Sequence, residues 1–187
     1  MDYLKLANTI DEDLLKAVAL INNPEIEPEV RQAMLERLFS TVGENVYNVI
    51  YDMATFDMDV VGTVGTGIDM NRVYGIAKVA SDSVVTGGAA KTTSSINLWL
   101  QDTISKATYD AFNVAHDLGK HPTLTRTERA ICCKWCTEHV GTFIDPTSEA
   151  FRRHDNCRAK IVVSGYKTRN GLLENYRNPN KKRKGGA

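Results

Sequence analysis

Two pairs of metal-ligand residues, Cys133-Lys134-Trp135-Cys136 and His154-Asp155-Asn156-Cys157, lie near the C-terminal end of this chain with seventeen residues between them. Each pair has two residues between its candidate ligands, and two such half-sites can close around one ion. Structural zinc is bound tetrahedrally by cysteine sulfur and histidine nitrogen. The spacing therefore predicts one structural zinc ion held by Cys133, Cys136, His154 and Cys157, with no open position for a catalytic water.

Other ligand sets remain open for the same segment. Cys132 is adjacent to Cys133 but breaks the C-x-x-C spacing, and His139 lies three residues after Cys136. His154 is preferred because it shares a short H-x-x-C turn with the last cysteine. A redox-active C-x-x-C is a further alternative, but it leaves the later histidine and cysteine unexplained. Disulfides explain the four cysteines poorly, because three of them fall within five positions, which is typical of a metal site.

The rest of the chain has mainly helical patterning. Apolar residues recur at helical spacing over residues 2–22, 28–41, 44–58 and 94–118. Pro28 suits the first turn of the second of these helices, where its missing N–H has no intrahelical partner to lose. We therefore expect a mainly α protein in which an N-terminal helical bundle precedes a small C-terminal zinc knuckle containing a short β-hairpin.

Residues 61–93 are rich in Gly, Thr and Ser and include two stretches that superficially resemble nucleotide-binding loops. The glycines over residues 62–67 do not follow the G-x-G-x-x-G order, and the residue before Lys91 is Ala90 and not glycine. A flexible linker is the preferred interpretation. The expected organisation is a helical region over 1–60, a linker over 61–93, a helical region over 94–130, the knuckle over 131–165 and a basic flexible tail over 166–187.

The zero formal net charge hides a strong polarity along the chain. Residues 1–60 hold 12 acidic and 4 basic residues, whereas residues 152–187 hold 2 acidic and 11 basic residues. This asymmetry indicates that the C-terminal end meets an anionic surface, either nucleic acid or an acidic protein. The alternative is a solvated tail that aids solubility.

Membrane insertion and secretion are not expected. The sequence has no run of 18 or more apolar residues, which a membrane-spanning helix needs. Its first five residues, Met1 to Lys5, lack the charged start and apolar stretch of a signal peptide. We therefore expect synthesis in, and retention by, a cytosol-like compartment.

The residues around the two half-sites resemble a known motif. Cys133 to Cys136, Gly141-Thr142-Phe143 and Phe151 to Arg158 resemble the C-terminal motif of the phage head morphogenesis family, the Mu F-like minor capsid proteins. That motif is a C-x-x-C, a short Gly-containing hairpin and an H-x-N-C-R-C close. The likeness covers roughly residues 130–163 and departs at Ala159, where the family commonly has a second cysteine. The departure leaves four ligands rather than five.

The resemblance implies a virion component, made in the host cytoplasm, that binds portal and capsid proteins near the head interior. It also implies a role in head assembly or genome delivery, in which the basic C-terminus faces DNA. Lys and Arg bind nucleic acid by neutralising phosphates and releasing counterions. The expected DNA contacts are Arg152, Arg153, Arg158, Lys160, Lys181, Lys182, Arg183 and Lys184.

Residues 159–164 have the composition of a β-strand. In a knuckle, this strand is expected to pair with a second strand near residues 142–144, so that the metal pins a hairpin. Trp135 and Phe143 are expected to pack beside it without a separate function.

Two functions compete with the virion role. A zinc-stabilised nuclease of the histidine–asparagine type would need a separate general base and a catalytic metal ligand, but His154 is already assigned to zinc. Glu128 and Glu138 have no spacing that pairs them for catalysis. A DNA-binding regulator would need a recognition helix beside the knuckle, and the sequence has no clear one. We therefore expect no enzymatic activity.

Overall fold

The computed structural model describes residues 12–20, 22–86, 89–127, 133–144 and 160–164. Its helices are α1 (residues 12–20), α2 (Pro28–Asp57), α3 (Met70–Thr86), α4 (Ala89–Asp117) and α5 (Lys134–Glu138), and its strands are β1 (Thr123–Thr127), β2 (Gly141–Phe143) and β3 (Lys160–Ser164). The protein is therefore mainly α with a small antiparallel sheet, as expected. None of the described helices combines the length and apolar character needed to cross a membrane.

Residues 28–57 form one helix, which unites the adjacent helical patterns over residues 28–41 and 44–58. Gly43 lies inside α2 and packs against the indole of Trp99: a Cβ at this position would lie 2.9 Å from Cζ2 of that ring. The glycine therefore serves a close approach between two helices and does not end either of them.

The prediction of a linker over residues 61–93 is wrong for most of its length. Residues 70–86 form α3, and α4 already begins at Ala89. The apolar residues of α3 that face the core, Val73, Ile76, Ala77 and Ala80, are helically spaced and buried. Half of them are alanines, so composition alone gave a weak signal. Residues 63–69 are irregular, and positive φ explains the glycine at position 67 (82°) and the one just before the segment at position 62 (87°).

The end of α4 agrees with its sequence. The last helical residue is Asp117, and Gly119 follows with a φ of 76°. The N–H of Gly119 donates to the carbonyl of His116 at 2.9 Å, and that of Lys120 donates to the carbonyl of Ala115 at 2.9 Å. Glycine is favoured at such a helix end because it adopts left-handed geometry without steric cost.

The chain divides into two compact units, one of residues 1–51 with 65–107 and one of residues 52–64 with 108–187. The first unit is a helical bundle, to which α1, α2, α3 and α4 all contribute buried residues. At its centre the rings of Phe39 and Trp99 lie 5.3 Å apart at an interplanar angle of 56°. The bundle therefore needs helices from residues 70–107 and is not confined to residues 1–60.

The second unit contains the sheet, whose strand order is β2-β1-β3 with both pairs antiparallel. Leu124, in the central strand, pairs with Phe143 on one side and with Val163 on the other. The expected hairpin between β2 and β3 is therefore wrong, because β1 lies between them. β1 falls in a region that was expected to be helical, and its sequence Thr-Leu-Thr-Arg-Thr hides it, since a buried position holds Arg126.

Candidate metal centre

The segment with Cys133 and Cys136 connects β1 to β2 at one end of the sheet. In the sheet register, Arg126 of β1 is opposite Gly141, the first residue of β2. Thr127, the last residue of β1, is opposite Lys160, the first residue of β3. Because the pairs are antiparallel, the end of β1 and the beginnings of β2 and β3 lie together.

A single helical turn joins the two described cysteines. Cys133 is exposed and caps α5: its Sγ accepts a hydrogen bond from the backbone N–H of Cys136 at 3.4 Å. Cys136 is buried, with 1% of its surface exposed. The carbonyl of Cys133 also accepts from the N–H of Thr137 at 3.1 Å, which closes the turn. The turn thereby brings the sulfur of the first cysteine to the backbone of the second.

Arg126 contacts the buried cysteine from the central strand. Its side chain is fully buried, and Nη2 donates to Sγ of Cys136 at 3.4 Å. The guanidinium carbon lies 4.9 Å from the centre of the Trp135 ring, in cation–π geometry. Sequence reasoning missed this residue. Alternation along β1 places Arg126 on the same face as the buried Leu124, but this signal depends on first recognising residues 123–127 as a strand.

Gly141 is the β2 residue paired with Arg126, and it has a φ of 155°. A Cβ there would lie 3.3 Å from Cζ of Phe143, which packs back over the glycine. Phe143 and Trp135 are both half-buried: Trp135 of α5 stacks on His139, and Phe143 of β2 packs over Gly141. They do not pack beside a hairpin of β2 and β3, because β1 separates those strands.

The side chain of His139, the alternative ligand, contacts Trp135. Its ring stacks on Trp135 with centroids 4.2 Å apart, and its Nδ1 lies 2.7 Å from the Trp135 carbonyl oxygen. Because a carbonyl only accepts, Nδ1 is the donor in this bond. Within the described ranges, no three or more His, Cys, Asp or Glu residues are grouped so as to hold a metal ion. The geometry therefore does not bring His139 together with Cys133 and Cys136.

Several predicted site residues lie outside the described residues. These are the ligands His154 and Cys157, the alternative ligand Cys132, and seven of the candidate DNA contacts, namely Arg152, Arg153, Arg158, Lys181, Lys182, Arg183 and Lys184. Of the predicted DNA contacts, the structure describes the backbone of Lys160, at the start of β3.

The two described cysteines are of the residue type that binds structural zinc, and they correspond to the first of the two predicted half-sites. A thiolate ligand is stabilised when N–H groups donate to it, and such outer donors also orient the ligand. Sγ of Cys133 has such a donor in the Cys136 backbone, and Sγ of Cys136 has one in Arg126. Comparisons of the chain with protein-family models, curated proteins and solved structures give no match.

Proposed function

We propose that this chain is a phage minor head protein in which one structural zinc ion, bound by Cys133, Cys136, His154 and Cys157, holds the C-terminal knuckle. The observation that carries the zinc proposal is the sheet register. Lys160 begins β3 opposite Thr127, at the same end of the sheet as the C-x-x-C turn. Cys157 precedes Lys160 by three residues.

Covalent geometry limits how far the second pair can be from the first. Three residues of chain span at most about 11 Å when fully extended. The contact between Arg126 and Cys136 ties the turn to the penultimate residue of β1, next to the Thr127–Lys160 pair. This register supports a shared ion, because the chain limits Cys157 to within about 11 Å of Lys160, which begins β3 at the same end of the sheet as the C-x-x-C turn.

The small size of the sheet explains why a metal ion would be needed to stabilise it. Its strands have five, three and five residues, and such short strands bury little apolar surface. A structural zinc ion contributes its binding free energy directly to folding. Zinc would therefore link the chain segment that precedes β2 to the segment that precedes β3.

Metal analysis of the purified full-length chain tests this part of the proposal. One zinc per chain, retained through gel filtration and released by a chelator, is the expected result. A chain that is folded and binds no zinc at micromolar concentrations would overturn it. Cobalt substitution adds a second readout, since thiolate-to-cobalt charge-transfer bands report sulfur ligands directly.

The virion role is supported by the likeness of residues 130–163 to the Mu F-like minor capsid proteins. It implies that portal and capsid proteins are the partners. Mass spectrometry of purified particles from the phage that encodes this chain provides the test. Low-copy recovery with the heads, together with a portal gene next to its own, is expected, and absence from the particles would overturn the assignment.

Contact with DNA is the second candidate function, and it is supported by the net charge of +9 over residues 152–187. Each phosphate neutralised on duplex DNA adds about 0.9 to the slope of log K against log salt. Deleting residues 178–187, which removes Lys181, Lys182, Arg183 and Lys184, should reduce that slope by about 3 to 4. Unchanged binding would show that the tail does not contact the DNA.

We propose no catalytic role for the zinc centre, because four protein ligands leave no position for a reacting water. A nuclease assay with magnesium or manganese tests the alternative. DNA cleavage that is lost in a folded His154→Ala variant would favour the nuclease over the virion protein.

A further inference from the structure

Arg126 is a fully buried cation that contacts a proposed zinc ligand. An arginine side chain remains protonated in proteins, so burial does not neutralise it. Nη2 donates to Sγ of Cys136 at 3.4 Å, and the guanidinium lies over the ring of Trp135. The residue sits in the middle strand of the sheet, paired with Gly141 on one side and Ile161 on the other.

The proposed metal centre is anionic. A zinc ion of charge +2 bound by three thiolates and one neutral imidazole carries a formal charge of −1. A buried charge is costly unless an opposite charge or hydrogen bonds compensate it. The positive charge of Arg126 equals the negative charge of the centre in size, and it touches one of the three sulfur ligands.

We infer that Arg126 is the counter-charge of the zinc centre, so that the metal and the central strand stabilise each other. The inference rests on the proposed zinc site and goes beyond it, since it assigns a positioning residue outside the ligand set. The face of the Trp135 ring packs against the guanidinium and holds it in place. Sγ of Cys136 accepts a hydrogen bond from the same guanidinium. Zinc binding then favours the folded sheet because it places an anion beside the buried arginine.

A comparison of two variants in the full-length chain tests whether charge is the cause. Arg126→Met removes the charge and keeps an unbranched apolar stem, whereas Arg126→Lys keeps the charge. Zinc affinity is measured by competition with a chromophoric chelator. Loss of an outer-shell partner typically weakens metal binding by about 10- to 100-fold. We expect such a loss in Arg126→Met, and we expect Arg126→Lys to recover most of it.

Repeating the measurement in a Cys157→His background separates the effect of charge on zinc affinity from the effect of packing. Cys157→His converts the centre to two thiolates and two imidazoles, with a formal charge of zero. The same Arg126→Met change should then weaken zinc binding much less, because no anion needs a counter-charge. The packing cost of the substitution is common to both backgrounds and cancels in the comparison.

Three outcomes are distinguishable. Wild-type protein without zinc overturns the proposed function itself. Wild-type protein that binds zinc, but in which Arg126→Met and Arg126→Lys lose affinity equally, overturns the counter-charge alone. The counter-charge is also overturned if Arg126→Met weakens zinc binding equally in the wild-type and the Cys157→His backgrounds. If Arg126→Met does not fold, Arg126→Gln replaces it, because it is also uncharged and keeps hydrogen-bond donors.

Discussion

The backbone N–H of Cys136 donates a hydrogen bond to Sγ of Cys133 at 3.4 Å, so one helical turn carries both the buried and the exposed thiol. The bond requires the sulfur of Cys133, and the adjacent Cys132 is not part of it. The backbone thus brings the two cysteines of the C-x-x-C pair into one turn.

Replacing Cys133 or Cys136 with serine should abolish tight zinc binding, because a hydroxyl is a much weaker zinc ligand than a thiolate. The thermal midpoint of each variant should fall toward that of the chelator-treated wild type. Inductively coupled plasma analysis and differential scanning calorimetry measure the two effects.

Cys132→Ser is the matched control for these variants and should keep one zinc per chain. Loss of zinc in this control, together with retention in Cys133→Ser, would move the ligand assignment to the neighbouring cysteine.

The two histidines should behave differently. His139→Ala should retain zinc, because among the described residues His139 is not grouped with Cys133 and Cys136 so as to hold a metal ion. His154→Ala should lose at least tenfold in zinc affinity. Removing a residue that only supports a ligand already costs about 10- to 100-fold, and removing the ligand itself should cost no less. Chelator competition measures both, and the reverse ranking would make His139 the fourth ligand.

Two glycines of the helical unit should respond to alanine in opposite directions. At Gly65 a Cβ would overlap Oη of Tyr47 and lie 2.8 Å from Cε2 of Tyr51, and these two rings are themselves stacked. Gly65→Ala should therefore lower the free energy of unfolding by about 1 to 3 kcal/mol.

Gly75 is the control for this substitution. It lies within α3, and a Cβ there meets nothing within 4 Å. Gly75→Ala should raise the free energy of unfolding by about 0.5 to 1 kcal/mol, because alanine loses less backbone entropy in a helix. Urea unfolding followed by circular dichroism measures both variants, and destabilisation by Gly75→Ala would contradict the open surroundings of that site.

Arg31 is a structural cation in the helical unit, only 2% exposed. Nη1 donates to the carbonyl of Ser81 at 3.2 Å, and Nη2 donates to the carbonyls of Asn23 at 3.0 Å and Ile26 at 2.6 Å. Arg31→Met leaves these acceptors without their donor and should cost about 2 to 4 kcal/mol. Arg37→Met, at an exposed position of α2, should change stability by about 0.5 kcal/mol or less. Equal effects would show that the three bonds contribute little.

Helical periodicity was informative wherever the core-facing residues were large. It placed α2 and α4 through residues such as Leu35, Phe39 and Trp99, which are buried in the bundle. It did not predict α3, because Ala77 and Ala80 make the buried face of this helix only weakly hydrophobic compared with its other faces.

The sequence by itself determined several local features of this protein: the helical patterns of α2 and α4, the glycine after α4, the C-x-x-C spacing and the polarity of charge. These depend on residues close together along the chain. Only the tertiary structure decided that β1 separates β2 from β3 and that Arg126 reaches Cys136. Strand pairing and burial of a charge depend on partners distant in sequence, and a polar strand such as Thr123–Thr127 does not reveal them until its neighbours are in place.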